Sequence, residues 1–463
     1  MQDLLRIVSP ADESTYFEGR FASDGEVSTA LSAARRAWTD WRRTPVEQRV
    51  RYIDAFVDAF TARADDLAHM VAWQIGRPLT KADESSSFRH AGDLYKSSLH
   101  RFVDDQPLPS DAHERRFLRR EPYGVNLSIC AWNYPVAMTA GLVLAPLLLG
   151  NVVVFKHAPQ TARISEVLND AAIAAQLPAG VFQALNMTHH QADRALGSGS
   201  IDLVNFIGSV RGGLEVRRAT STTLVHQILE LGGKDPTYVC ADADLRVAVP
   251  ELIWASFGNS GQSCCSVERI YVEAPIYDRF VEAFVAACRD LTVGHPIKEN
   301  TAIGPVVSAA AARRINGDIA DAIRGGAQNP MPTAEMLRHG PAYVAPTVLL
   351  NVTHDMRIMR EEIFGPVAPI MKVQSDAEAL RFMNDSDYGL TASIWTADLD
   401  RGIGLGRTVD AGNFYVNRSD YVDDYLPWGG VKRSGLGRTD GWTWGDSLTR
   451  TAGFYARRLG DST

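Results

Sequence analysis

Cysteine is scarce in this chain and forms no recognisable pattern. The 463 residues include 5 cysteines: Cys130, Cys240, Cys264, Cys265 and Cys288. So odd and sparse a set does not fit a disulfide framework. The sequence has neither a Cys-x-x-Cys pair nor a His-Glu-x-x-His motif, so we predict no metal site. Because free thiols persist in a reducing compartment, we expect the protein to be cytoplasmic.

Long apolar segments are also missing. The longest, residues 136–149, is short and contains Pro146, so we predict a buried helix there and no membrane span. The first 19 residues are acidic and lack an apolar core, so we expect no secretory signal.

The chain has no excess of basic residues. Its 47 Lys and Arg face 55 Asp and Glu, which gives a net charge of −8. A nucleic-acid partner is therefore not expected. The densest basic patch contains two arginine pairs, at residues 115–116 and 119–120, and is interpreted as a solvated or subunit-contact strand.

What is present indicates an α/β fold with more than one domain, since the chain is too long for a single core. Apolar residues at helical spacing follow Asp24, which we take as an N-cap, and residues 44–47 resemble a capping box that starts a second helix. Five β-branched runs alternate with helical segments further on, which predicts mainly parallel sheets. Their residues are 126–130, 152–155, 204–207, 237–240 and 270–272. Residues 325–346, rich in Gly and Pro, are predicted to form a long surface loop.

Two short segments carry the clearest chemistry. Residues 257–265 read Phe-Gly-Asn-Ser-Gly-Gln-Ser-Cys-Cys and place a thiol among small polar residues. Residues 229–235 read Leu-Glu-Leu-Gly-Gly-Lys-Asp and place the Glu230 carboxylate before two glycines, where backbone can approach a ligand closely. A thiol nucleophile and a carboxylate base are the reagents of covalent catalysis through a thioester. The apolar neighbours of Glu230 predict partial burial and a raised pKa.

Together these segments resemble the Glu-Leu-Gly-Gly-Lys and Gly-Gln-x-Cys signatures of the NAD(P)-dependent aldehyde dehydrogenase superfamily, and the resemblance runs from about residue 20 to residue 455. It implies that Cys264 is the nucleophile, although spacing alone does not separate Cys264 from Cys265. It also implies that Glu230 activates the water that hydrolyses the thioester, and that Asn133 donates to the oxyanion together with the backbone N–H of Cys264. Ala131 stands where the family's element has proline.

No Gly-x-Gly-x-x-Gly fingerprint follows a predicted strand, so the cofactor residues are implied by the resemblance. Lys156 ends a strand and matches the lysine that grips the adenosine ribose. A Gly-Ser-x-x-x-Gly element at a helix start offers free N–H groups to a pyrophosphate. The Glu-Glu-x-Phe-Gly-Pro signature places Glu362 on the nicotinamide ribose and Phe364 beside the nicotinamide. The full set is Ala131, Trp132, Lys156, Pro159, Gly208, Ser209, Gly213, Leu231, Glu362 and Phe364.

One departure bears on the choice between NAD and NADP. Relatives that prefer NAD carry a glutamate three residues after the lysine, where this chain has Pro159. Proline neither accepts a bond from the ribose 2′-hydroxyl nor repels a 2′-phosphate, and His157 and Arg211 would favour the phosphate. The expected cofactor is therefore NAD or NADP.

The resemblance also suggests residues around the substrate, which is a small-molecule aldehyde. Gly258 stands where semialdehyde dehydrogenases acting on dicarboxylate precursors carry arginine, which counts against succinate semialdehyde. Gly141 replaces a bulky aromatic and so widens the pocket. The loop at residues 418–428 mixes aromatics, acids and one arginine, and its acids either meet a cation or face water. The expected pocket comprises Met138, Gly141, Phe257, Gly258, Arg418 and Trp428.

The implied architecture has a Rossmann-type cofactor domain, an α/β catalytic domain and a small β oligomerisation element. These cover residues 1–102 with 122–230, residues 231–445, and residues 103–121 with 446–463, and the expected assembly is a homodimer or homotetramer. The implied activity is oxidation of an aldehyde to a carboxylic acid through a cysteine thiohemiacetal and thioester. The alternatives are a semialdehyde dehydrogenase that acylates coenzyme A and a catalytically silent binding member of the fold.

Overall fold

The computed structural model describes residues 4–331 and 339–459. The strands are β1 (Leu4–Val8), β2 (Thr15–Arg20), β3 (Gln106–Pro107), β4 (Glu114–Pro122), β5 (Val125–Cys130), β6 (Val152–His157), β7 (Phe182–Ala184), β8 (Leu203–Ile207), β9 (His226–Glu230), β10 (Asp235–Val239), β11 (Val267–Glu273), β12 (Thr347–Leu349), β13 (Val367–Val373), β14 (Thr391–Trp395), β15 (Asn413–Val416), β16 (Gly435–Leu436) and β17 (Thr449–Arg457). All five strands predicted from the sequence are present.

The helices are α1 (Asp24–Trp41), α2 (Val46–Thr61), α3 (Ala64–Ile75), α4 (Ser85–Ser98), α5 (His100–Val103), α6 (Ala145–Leu148), α7 (Ile164–Ala174), α8 (His189–Gly197), α9 (Val210–Ala219), α10 (Leu245–Phe257), α11 (Tyr277–Arg289), α12 (Ala309–Arg324), α13 (Arg357–Arg360), α14 (Asp376–Asn384) and α15 (Leu399–Gly406). A π-helical turn, Ala140–Leu144, precedes α6. In the part of the chain that the structure describes, no helix is both long and apolar enough to cross a membrane.

Two helix starts differ from the sequence prediction. The N-cap of α1 is Ser23, one residue before Asp24, and it forms a capping box with Glu26. The predicted capping box at Thr44 is wrong. The Thr44 hydroxyl donates instead to the Asp40 carbonyl, 3.2 Å away at the end of α1, and Pro45 caps α2 without a side-chain hydrogen bond.

Two six-stranded sheets form the body of the molecule. The first has the order β16-β9-β8-β5-β6-β7 and is parallel except for the short β16, which pairs antiparallel with β9. The second has the order β12-β13-β11-β10-β14-β15 and is parallel throughout. Every residue of β5 and β6 is buried, as expected for strands covered on both faces. The fold class is therefore confirmed as α/β.

Smaller sheets complete the fold. Strands β1 and β2 form an antiparallel hairpin, and β17, β4 and β3 form a three-stranded antiparallel sheet. The three-stranded sheet contains the basic patch predicted as a strand, because its arginines lie in β4. The segment at residues 325–346 has no strand or helix in its described part, although Ala342 and Tyr343 are buried, so it is not wholly a surface loop. Residues 332–338 of that prediction lie outside the described residues.

The order of the strands brings the segments around Glu230, Cys264 and Phe364 close together. Glu230 ends β9, and the next four residues lead directly into the start of β10. Cys264 lies just before β11, and Phe364 lies just before β13. Because β10, β11 and β13 are parallel neighbours, their amino ends lie at the same edge of the second six-stranded sheet. Residues 231–234 join this edge to the carboxyl edge of the first six-stranded sheet, where β9 ends.

Candidate active site

The loop that carries Cys264 is held in an unusual backbone conformation. After α10, Asn259 and Ser260 both adopt the left-handed region, with φ of 50° and 57°. Such conformations cost about 1–3 kcal/mol each and persist where surrounding contacts enforce them. Here the Asn259 amide donates to the Asn133 carbonyl at 2.9 Å, and the Ser260 hydroxyl donates to the Gly304 carbonyl at 2.9 Å. The loop is therefore fixed by buried hydrogen bonds.

Cys264 and Cys265 differ in their surroundings. Cys264 is partly exposed to the cavity described below, whereas Cys265 is buried and its thiol donates to the Asp420 carboxylate at 3.1 Å. A hydrogen bond with Cys264, followed by burial, raises the pKa of Cys265. Burial also raises the pKa of Cys240 and Cys288 to about 12 each. All five cysteines are described, and Cys264 is the one that is not buried.

The Glu230 carboxylate is buried and is not satisfied by hydrogen bonds from the described residues. Only 4% of the residue is exposed, and neither carboxylate oxygen has a hydrogen-bond partner among the residues that the structure describes. Burial, with the nearby charges of Asp440 and Cys264, raises the pKa of Glu230 well above its ordinary value. The burial and the raised pKa agree with the sequence prediction. A carboxylate whose pKa is raised is a stronger base than an exposed glutamate, which suits it to take a proton from water.

Asn133 lies across from the nucleophile loop. Its side-chain amide is buried and donates one N–H to the Gln262 carbonyl at 3.1 Å. The amide group carries a second N–H that is available to an oxygen in the cavity. Next to it, the Trp132 ring packs edge-on against the Phe364 ring, with centroids 5.4 Å apart. Ala131 and Trp132 line the same cavity.

A buried ion pair joins three separate segments of the site. The Lys234 ammonium lies 2.8 Å from the Glu268 carboxylate, and both side chains are at most 3% exposed. The same carboxylate accepts from the backbone N–H groups of Ile363 and Phe364, each at 2.7 Å. The pair thus links the chain after Glu230, the strand after Cys264 and the turn before β13. Phe364 has a φ of 50°, and these hydrogen bonds hold its turn in that conformation.

Glu362 approaches the two glycines that follow Glu230. The Gly233 N–H donates to its carboxylate at 3.1 Å. A β-carbon on Gly232 would meet the same carboxylate, so a larger residue there would displace the Glu362 side chain. Burial, reinforced by the charge of Glu268, raises the pKa of Glu362 to about 8. A ligand that donates hydroxyl groups to this carboxylate would satisfy it.

The other end of the cavity has features that suit a dinucleotide. Lys156 is 2% exposed at the end of β6, and its ammonium has one contact, at 3.3 Å, with the His157 carbonyl. Burial lowers its pKa to about 8. Gly208 and Ser209 precede α9, where the Ser209 hydroxyl accepts from the Gly212 N–H at 3.2 Å and caps the helix. The first N–H groups of a helix have no partner within it and favour a phosphate.

Two of the predicted cofactor residues, Gly213 and Pro159, lie apart from the cavity wall. Gly213 faces Leu231, because a β-carbon there would lie 2.6 Å from the Leu231 side chain. Its role is close packing of α9, while Leu231 itself lines the cavity. Pro159 begins a 3₁₀ turn, and its neighbour Ala158 lines the cavity instead.

The expectation that His157 favours a 2′-phosphate is wrong. His157 is 2% exposed, and its ring nitrogens contact the Ser165 hydroxyl and the Pro135 carbonyl, each at 3.0 Å. Burial lowers its pKa to about 4, so the ring is neutral and fully engaged. Arg211, in contrast, is exposed at the start of α9 and lines the cavity. It lies near His189, whose pKa is lowered by burial and by the charges of Lys156 and Arg211.

Cys264, Glu230, Asn133 and all the predicted cofactor residues except Gly213 and Pro159 line a single cavity of about 1960 Å³. Of the predicted substrate residues, Met138, Gly141 and Trp428 line it. The others do not. Phe257 is buried in the core against Phe284, with ring centroids 6.1 Å apart, and Gly258 is buried beneath the Trp254 ring. Arg418 turns outward to form an ion pair with Glu251 at 3.0 Å.

Sequence reasoning missed part of this wall. Helix α4 contributes Tyr95, and a turn near the carboxyl end of the chain contributes Asp440. No motif in α4 signals a ligand site. For Asp440 the available signal was the Asp-Gly pair at residues 440–441, which is typical of a tight turn.

Comparison with known proteins agrees with this geometry. Residues 2–452 match the sequence profile described as "Aldehyde dehydrogenase family". The chain belongs to the aldehyde dehydrogenase family. It is 32% identical over 421 residues to an aldehyde dehydrogenase of Paenarthrobacter nicotinovorans, covering 89% of this chain and 91% of that one. It is 31% identical to succinate-semialdehyde dehydrogenase [NADP(+)] 1 of Mycobacterium tuberculosis, covering 94% and 95%.

Solved structures of aldehyde dehydrogenases share the whole fold. The NAD-dependent aldehyde dehydrogenase of Sinorhizobium meliloti superposes with a TM-score of 0.93 at 31% identity, covering 99% of this chain and 93% of that one. The fold and the activity expected from the resemblance are thus confirmed: the protein is an aldehyde dehydrogenase that uses NAD or NADP. The roles of individual residues stay predictions.

The ion pair at the centre of this aldehyde dehydrogenase gives the first prediction. Replacing Glu268 with Gln leaves the Lys234 ammonium buried without its counter-charge, which costs about 3–5 kcal/mol of unfolding free energy. The variant should also bind cofactor more weakly, because the Phe364 turn loses its anionic acceptor. Urea unfolding and the KM for NAD and NADP measure the two effects.

The matched control removes a charge from an exposed ion pair. Glu251→Gln breaks the ion pair between Glu251, whose side chain is 35% exposed, and Arg418, whose side chain is 47% exposed. This change should lower the free energy of unfolding by less than about 1 kcal/mol. Equal losses in the two variants would contradict the central position given to Glu268.

Proposed function

We propose that Cys264, Glu230 and Asn133 are the catalytic residues of this aldehyde dehydrogenase. The observation that carries the proposal is the pairing, in one cavity, of an accessible thiol with a buried carboxylate that has no hydrogen-bond partner. In proteins, buried polar groups without partners are rare and costly, and they concentrate where chemistry requires them.

The proposed reaction begins at the thiol. The Cys264 thiolate attacks the carbonyl carbon of the aldehyde, and the second Asn133 N–H and the Cys264 backbone N–H donate to the oxygen that becomes negative. The hydride that leaves this carbon would go to the acceptor that bound NAD or NADP supplies. Cys264 is then left as a thioester of the carboxylic acid.

Glu230 completes the cycle. Its carboxylate takes a proton from water, which attacks the thioester carbon and displaces the Cys264 thiolate. Overall, one aldehyde, one water and one oxidised cofactor yield one acid, one reduced cofactor and one proton. This role distinguishes the proposal from transfer of the acyl group to coenzyme A, which needs no base for water. A catalytically silent protein would have no use for the unpaired carboxylate.

Other residues are assigned to the ligands. Lys156, with the start of α9 at Gly208 and Ser209, would hold the adenosine ribose and the pyrophosphate. Glu362 would accept from the nicotinamide ribose, and Trp132 and Phe364 would pack beside the nicotinamide. Met138, Gly141 and Trp428 would contact the substrate.

We also propose the domain division and the assembly. Residues 4–102 and 122–230 would form the cofactor domain, residues 231–445 the catalytic domain, and residues 103–121 with 446–459 the oligomerisation element. Strand β16 qualifies this division, because it lies within the catalytic range but pairs with β9 of the first sheet. Residues 1–3 and 460–463 of the predicted ranges lie outside the described residues.

The nine-residue β17 offers a strand edge for pairing in a homodimer or homotetramer. The unpaired thiols favour a cytoplasmic location.

The role of Glu230 is tested by Glu230→Gln. Acylation and hydride transfer need no base for water, so the variant should give a burst of one NADH or NADPH per site, followed by a steady-state rate at least ~100-fold below wild type. Stopped-flow absorbance at 340 nm measures both phases. In wild type, the raised pKa of Glu230 should make the steady-state rate fall on the acid side at a pH above the ordinary glutamate pKa. Full turnover by the variant would exclude Glu230 as the base.

A second test concerns cofactor choice. Arg211 and Lys156 line the same cavity and their charges both act on His189, and the Arg211 guanidinium suits a 2′-phosphate. We expect Arg211→Ala to lower kcat/KM for NADP about tenfold or more while changing that for NAD little. Arg217→Ala is the matched control, because Arg217 is exposed on the same helix but away from the cavity. A wild-type enzyme that rejects NADP by several orders of magnitude would overturn this assignment.

A further inference from the structure

The substrate half of the cavity carries an excess of carboxylates. Besides Glu230, four aspartates line it: Asp420, Asp423, Asp424 and Asp440. They surround the same space into which the Cys264 thiol and the unpartnered Glu230 carboxylate open. The acids are therefore part of a ligand site and not of a solvated surface alone.

Asp440 is the carboxylate built most firmly into the wall. Its backbone is in an unusual region, with a φ of 50°, and the Tyr95 hydroxyl donates to one of its oxygens. The other oxygen accepts from the Thr439 hydroxyl at 3.3 Å. In the described part of the chain, no Lys or Arg forms an ion pair with it. Burial raises the pKa of Asp440, so a cation brought to this carboxylate would replace lost solvation.

The absence of a side chain at Gly141 leaves space in front of the Asp440 carboxylate. A β-carbon at residue 141 would lie 3.4 Å from the Asp440 oxygen and 3.3 Å from the Tyr95 hydroxyl. Any larger side chain would fill the space in front of this pair. The glycine therefore opens the cavity toward a hydrogen-bonded carboxylate, and not simply toward a wider apolar pocket.

Two basic residues that line this half of the cavity have acidic partners. Arg77 lies 2.9 Å from Glu84, and its guanidinium stacks over the Tyr134 ring. His90 lies 2.9 Å from Asp424. One feature favours an anion, namely the buried Nε of Arg77, which has no hydrogen-bond partner. Against it stand the carboxyl groups of Asp420 and Asp440, and acidic residues outnumber basic ones in the lining of this half of the cavity.

We propose that the aldehyde oxidised by this enzyme carries a protonated amine, whose N–H groups donate to the Asp440 carboxylate while its carbonyl reaches Cys264. This inference rests on the proposed function and names its substrate class. Carboxylate oxygens bind N–H donors more strongly than they attract a fully alkylated ammonium, so a primary amine fits best. A substrate with a terminal carboxylate is repelled by the same group.

The test compares substrates of matched size. In 3-aminopropanal an ammonium group replaces the terminal methyl of butanal, and succinate semialdehyde supplies a carboxylate. We expect kcat/KM for 3-aminopropanal to exceed that for butanal about tenfold or more, and that for succinate semialdehyde to be the lowest. Asp440→Asn should lower the ratio of 3-aminopropanal to butanal by the same factor. Asp278→Asn, a change at a 92%-exposed side chain, should leave the ratio unchanged.

The outcomes separate this inference from the function beneath it. If butanal and the other aldehydes all fail with both cofactors, the proposed function itself is wrong. If butanal is oxidised but 3-aminopropanal is no better, or if Asp440→Asn leaves the ratio unchanged, the amine assignment is wrong and the function stands. Succinate semialdehyde as the best substrate would also overturn it, with Arg77 as the recognising group.

Discussion

The Lys234–Glu268 ion pair is the contact on which the geometry of the site depends. It is fully enclosed, and its carboxylate also accepts from two backbone N–H groups of the turn at Phe364. Buried pairs are costly to desolvate and are a poor source of net stability, but removing one partner is severe. Their value here is positional, since the pair fixes the segments after Glu230 and Cys264 relative to the turn that bears Glu362.

Three buried acids in this region differ because their partners differ. Glu268 has a cation and two N–H donors, so its role is structural. Glu230 has no hydrogen-bond partner and its pKa is raised, which suits a group that exchanges protons. Within residues 4–331 and 339–459, Asp440 is held by hydroxyl groups alone and forms no ion pair with Lys or Arg. A reactive carboxylate is distinguished from a structural one by what surrounds it and not by its burial.

Much of this arrangement could be predicted from the sequence. The parallel strands were clear from β-branched runs, and the segments around Glu230 and Cys264 were clear from short motifs. Spacing alone did not separate Cys264 from Cys265, and the structure shows a difference that depends on Asp420, far away in the chain. His157 was misjudged for a similar reason, because its burial is set by contacts with Pro135 and Ser165. Asp440 and Tyr95 are far apart in the chain and come into contact only in the folded protein. The local sequence around either residue therefore does not predict this contact.

The central claim is that the acyl group rests on Cys264 until Glu230 activates water. The most direct test is to mix Glu230→Gln enzyme with an aldehyde and NAD or NADP, quench in acid, and map the acylated peptide by mass spectrometry. The account predicts one acyl group per chain, in thioester linkage to Cys264, with its mass equal to that of the aldehyde less one hydrogen. An acyl group on Cys265, or steady production of acid with no cysteine acylated, would contradict it.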